Sequence, residues 1–99
     1  MIITQTQEGK ALTLRLEGRL DALTAPELQK ELIPLFEAHS EIVLDFAELT
    51  YVSSAGLRVL LMGQKAATSK KAVFTLVNVL PQVMEVFKMT GFSGILNTR

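Results

Sequence analysis

The chain has 99 residues, 48% hydrophobic and 20% charged, with ten acidic and ten basic side chains and no net charge. That balance argues against nucleic acid and against an anionic membrane surface, both of which select a clustered basic face. The absence of cysteine excludes a disulfide framework, a thiolate metal site and a thiol nucleophile. One histidine, His39, and two aspartates are too few for a multi-ligand metal site, and no cofactor motif is present. No run reaches the ~20 apolar residues of a membrane helix, and the N-terminus lacks the pattern of a signal peptide. The expectation is a small soluble cytoplasmic protein, residues 1–99 forming a single domain, with no direct membrane insertion.

In chain order, Ile2 to Gln7 and Lys10 to Leu20 read as two strands joined at Glu8-Gly9. In the second, Leu12, Leu14 and Leu16 alternate with Thr13, Arg15 and Glu17, so one face is buried. Thr24 followed by Glu27 has the spacing of a capping box, and Pro26 is tolerated in a first turn. Leu28, Leu32, Leu35 and Phe36 then recur with helical period. Pro34 predicts a kink there, or a helix that ends near Ile33 and restarts. His39 follows as a helix-end residue.

Glu41 to Phe46 reads as a strand, and its run Ile42-Val43-Leu44 predicts burial on both faces. From Leu57 onward the next helix is apolar nearly all round, with Leu57, Leu60 and Leu61 on one side and Val59, Met62 and Ala66 on another. Part of it is therefore available to a partner. Ala72 to Val77 reads as a further strand. Leu80, Val83, Met84 and Phe87 mark a third helix, with Pro81 in its first turn and Gly91 at its end. Phe92 to Leu96 is expected as a short last strand. The order β-β-α-β-α-β-α-β predicts an α/β domain in which helices pack on a mixed β-sheet.

Between the central strand and its helix stand Ser53 and Ser54. A helix start leaves N–H groups unpaired and carries partial positive charge, so it suits a capping serine, a bound anion or a phosphorylated serine. A hydrolase elbow needs glycine two residues on either side of its serine, and Val52 fails the first position. No base is visible for such a nucleophile, and no glycine-rich phosphate loop with lysine occurs. The residues predict no enzyme, no catalytic residue and no bound nucleotide. An exposed serine turn remains, on which another protein acts.

Ser53-Ser54-Ala55-Gly56-Leu57-Arg58 resembles the serine motif of bacterial STAS-domain proteins of the anti-anti-sigma factor type. Gly18-Arg19-Leu20-Asp21 with Thr24-Ala25 is similar to that family's Gly-x-Leu-Asp and the Thr-Ala opening its first helix. Met89-Thr90-Gly91-Phe92 is a weaker third likeness, and together the three span nearly the whole chain. The resemblance implies a STAS-like fold and a partner switch. Unphosphorylated, such a protein binds an anti-sigma factor that is itself a serine kinase. Phosphorylation, here at Ser54, releases it, and a metal-dependent PP2C-type phosphatase restores it. The implied partner surface comprises Asp21, Ser53, Ser54, Gly56, Leu57, Arg58 and Met62. Ser53 replaces the family's aspartate, Ala55 replaces a second serine, and the final family helix is absent or very short before Arg99. The alternative function is a STAS accessory subunit that binds a membrane transporter or scaffold and is never phosphorylated.

Overall fold

A computed structural model describes residues 1–99. Four strands and three helices follow in the order β1 (Ile2–Glu8), β2 (Ala11–Leu20), α1 (Ala25–Leu35), β3 (Glu41–Val52), α2 (Ser54–Lys70), β4 (Val73–Val77) and α3 (Pro81–Thr90). The sheet has the spatial order β1-β2-β3-β4. β1 and β2 are antiparallel and meet at a two-residue hairpin in which Gly9 takes φ +61°. That conformation carries no steric cost for glycine alone. β2, β3 and β4 are parallel, so α1 and α2 form the crossovers that parallel neighbours require.

Alternation in β2 builds the core. Leu12 pairs with Ile42 and Leu14 with Leu44, and these in turn pair with Phe74 and Leu76 of β4. All six are buried on one face, against Leu28 and Leu32 of α1 and Leu57 and Leu60 of α2. Phe36, at the end of α1, meets Phe74 edge-on at 5.6 Å. Thr13, Arg15, Val43 and Asp45 occupy the other face, and none of them is buried. The central strand is thus buried on one face, not on both. Its unbroken apolar run arises because Val43 lies half-exposed between two core residues.

β3 is longer than its sequence suggests. Asp45 pairs with Arg15 but Glu48 with Glu17, and Leu49 pairs with Gly18 but Tyr51 with Arg19. Each step inserts an extra residue into β3, as a β-bulge does. After Leu44 the buried positions Phe46, Leu49 and Val52 therefore come at three-residue spacing. An alternation test ends the strand at Phe46, whereas the chain runs on to Val52. Beyond Asp45 β3 has no β4 neighbour, and α3 packs against this extension, with Phe87 6.4 Å from Phe46.

Three local readings are corrected. α1 continues through Pro34 and ends at Leu35, closing with turn bonds from Phe36 N–H to the Ile33 carbonyl and from Ala38 N–H to the Leu35 carbonyl. No restart follows, because a proline this close to the helix end disturbs only the last turn. Phe92 to Leu96 is a 3-10 turn with a tail, not a strand. The pairing lies one step later, where Leu76 donates to the Asn97 carbonyl and Arg99 to that of Leu76.

The third correction concerns Thr24. Its side chain makes no cap bond to α1. The hydroxyl turns back, accepting the Asp21 N–H at 2.9 Å and lying 2.7 Å from the Arg19 carbonyl. Asp21 Oδ1 meanwhile accepts the N–H groups of Leu23 and Thr24 at 3.0 and 3.2 Å. An aspartate turn preceding the helix has displaced the capping box. Thr24→Ala is therefore expected to lower stability by about 1 kcal/mol, the usual worth of such bonds. Glu27→Ala, which a capping box would make costly, is expected to stay within about 0.5 kcal/mol of the parent. Urea denaturation of both variants checks this.

Candidate functional site

At the end of β3 the chain enters α2 with almost no connecting loop. Val52 pairs with Leu20, the last residue of β2, and the N–H of Ser53 donates to the Leu20 carbonyl at 2.9 Å. The first turn of α2 then lies directly on Leu20. A Cβ placed on Gly56 would stand 2.7 Å from Leu20 Cγ and 2.9 Å from its carbonyl oxygen. Only glycine allows that approach, which accounts for the glycine three residues after the helix cap.

The two serines divide the work of the helix start. Ser53 is the N-cap, with extended backbone, and its Oγ accepts the Gly56 N–H at 3.3 Å. Its own N–H is taken by Leu20. Of the four N–H groups that a helix start leaves without intrahelical partners, two are thereby satisfied, and those of Ser54 and Ala55 remain open. Ser54 is the first helical residue and is exposed, with a hydroxyl bonded to no other group of the protein. No acidic residue stands in that first turn.

Around this turn the remaining candidate residues separate into exposed and supporting groups. Arg58, one turn further along α2, is exposed, and Met62, a turn beyond that, is half-buried. Gly56 and Leu57 are buried, so they shape the turn from beneath and offer it little surface. Asp21 is half-buried, and its carboxylate is occupied by the turn that precedes α1. The N–H of Thr24 holds that carboxyl below its ordinary 3.8. Partial burial opposes this, while the Leu23 N–H, the Thr24 hydroxyl and Arg19 add to it.

Two features here escaped the sequence reading. Arg19 lies over the Tyr51 ring at 4.2 Å and approaches Asp21 Oδ2 at 3.7 Å. Leu23, on the turn that Asp21 organises, is 87% exposed. The Arg19–Tyr51 neighbourhood depends on the second bulge of β3, which no spacing rule reveals. Leu23 carries a weaker signal, as a leucine outside any periodic pattern.

His39 precedes β3 and Ser54 follows it. The twelve-residue strand between them sets the two on the order of 30 Å apart, far beyond the reach of a general base. His39 lines an open cleft of about 320 Å³ with Phe36, Glu37, Ala38, Ser40 and Lys70, at the opposite end of the strand from the serines.

The sequence matches the family model described as "Mlab, STAS domain" over residues 3–97. The chain belongs to the STAS-domain family of anti-sigma factor antagonists. It is 33% identical over 96 residues to BtrV of Bordetella bronchiseptica, covering 96% of this chain and 83% of that protein. It is 30% identical over 84 residues to the anti-sigma-B factor antagonist of Listeria monocytogenes, covering 83% and 73%. Its fold is similar to the anti-sigma factor antagonist SpoIIAA in its unphosphorylated form, with TM-score 0.83 and 19% identity over 99% of this chain and 88% of the other. Bacillus SpoIIAA in the phosphorylated form superposes with TM-score 0.76 and 18% identity over 99% and 91%. This STAS domain has the mixed sheet and helix order expected of it, and no helix is long and apolar enough to cross a membrane.

Two outcomes are expected from this geometry. Gly56→Ala forces a methyl group against Leu20 and should cost roughly 1–3 kcal/mol, as overpacking does. Gly94→Ala, with open space at its Cβ, serves as the tolerated control in the same urea titration. The second concerns acid. Because the folded Asp21 carboxyl is held below its unfolded value, its stabilising effect is present above 3.8 and is lost as pH falls through the folded value. The gap in denaturation midpoint between parent and Asp21→Asn should be widest near neutrality and shrink below pH 3.8.

Proposed function

We propose that this protein is the unphosphorylated-state ligand of an anti-sigma serine kinase, and that phosphorylation of Ser54 releases it. The observation that carries the reading is the division between the serines: Ser53 is engaged as a cap, while Ser54 presents a free hydroxyl. The names of the relatives support the antagonist role, and the two SpoIIAA structures concern a protein known in both phosphorylation states. The reading of an unphosphorylated transporter subunit draws no comparable support.

The domain contributes only the hydroxyl. Ser54 Oγ attacks the γ-phosphorus of the kinase's ATP, its proton passes to a base on the kinase, and the bond to the β,γ-bridging oxygen breaks to leave ADP. A PP2C-type phosphatase hydrolyses the ester and returns the serine. The docking surface is the exposed rim of the turn, with Arg58 and Met62 on α2 and Asp21 beside it, while Gly56, Leu57 and Ser53 hold it in shape.

Phosphate adds about −1.5 to −2 charges. At a helix start that charge is favourable within the domain, so the cost falls on the complex, where the phosphate is crowded and desolvated. A thousandfold loss of affinity needs only about 4 kcal/mol. Ser54→Ala should bind the kinase constitutively without accepting phosphate, and Ser54→Asp should stay folded yet bind weakly. Ser53→Ala should lose about 1 kcal/mol of stability as a missing cap and still be phosphorylated. Labelled ATP with peptide mapping by mass spectrometry reads the acceptor directly. Label that persists in Ser54→Ala sinks the assignment.

A further inference from the structure

We propose that Arg58 is the intramolecular counter-charge of a phosphate on Ser54, the two closing into an ion pair along the exposed side of α2. This rests on the phosphorylation reading above and adds to it what receives the phosphate. Ser54 and Arg58 are four residues apart on α2 and both are exposed. At that spacing their Cβ atoms lie about 5–6 Å apart on one helix face. Helical side chains lean toward the N-terminus, so the guanidinium is directed back over the serine.

Arg58 is also uncommitted. It enters none of the three salt bridges of the structure, and α2 contains no acidic residue to engage it. Arg19 and Asp21, at the same end of the sheet, already face each other at 3.7 Å, and Arg19 is further held over Tyr51. Lys65, the next cation on α2, stands about two turns further along. A guanidinium fork matches phosphate oxygens in pairs, and an anion four residues before a cation is the favourable order on a helix. The pair engages Arg58 on that exposed face when the phosphate arrives, so the docking surface gains an anion and loses a free cation in one event.

The test needs no kinase. Phosphoserine is installed at position 54 by semisynthesis, and the phosphate is titrated by phosphorus NMR. Its second pKa, near 6 for a free phosphoserine, should lie lower in the parent than in Arg58→Gln by roughly half a unit, because the guanidinium favours the dianion. Arg58→Lys should recover part of the difference as a point charge without the fork. Lys65→Gln should leave the titration where the parent has it. Equal values in the parent and Arg58→Gln overturn the pair, whatever a kinase does. Failure of a kinase to modify Ser54 overturns instead the functional reading, and leaves the titration result standing.

Discussion

The carbonyl and side chain of Leu20 bear the first turn of α2, and the geometry of the serine turn depends on that contact. Leu20 ends β2, Val52 ends the parallel strand beside it, and Ser53 is bonded to the Leu20 carbonyl in the same step. With Gly56 seated on the same residue, the axis and rotation of α2 are set by the sheet and not by a flexible loop. Any larger residue at position 56 would lift the turn and rotate Ser54 away from its present exposure. The glycine is therefore a packing requirement whose consequence is the presentation of a hydroxyl.

Two serines in succession solve a problem that one cannot. A capping serine must use its oxygen to accept a backbone N–H, and a hydroxyl so engaged at 3.3 Å is directed inward to the helix. Moving the cap to Ser53 frees the oxygen of Ser54 while keeping the helix start intact. An aspartate at this position would do the same with a full charge. Serine does it without adding an anion next to a site expected to receive one, so no acidic residue in the turn competes with an incoming phosphate for the open N–H groups.

Much of the fold was legible because β2 alternates strictly and the helices carry clear periodicity. What was illegible traces to particular residues. The extension of β3 was hidden by two bulges that turn a period of two into a spacing of three at Phe46, Leu49 and Val52. The capping box at Thr24 and Glu27 was a sound pattern overridden by Asp21, whose carboxylate reaches the turn's N–H groups first. The terminal strand was misplaced because Leu96 is buried by a turn, with its N–H bonded to the Phe92 carbonyl, and not by strand alternation. At the site, the serine motif located the turn. Either serine satisfies the capping preference, and only the folded geometry separates the cap at Ser53 from the free hydroxyl of Ser54.

The same geometry explains how a switch can be reversible. A modification that unfolded the domain would make each cycle cost a refolding step and would expose Leu20, Leu57 and Leu60, all now buried. In the proposed switch the phosphate would sit on the first helical residue, Ser54, where the backbone offers two open N–H groups and a partial positive charge. Negative charge at that point runs with the helix field and not against it, so the folded state has no electrostatic reason to yield. On the proposed switch the destabilisation would fall on whatever surface had been packed over Ser54, and the released domain would still be folded for a phosphatase to read.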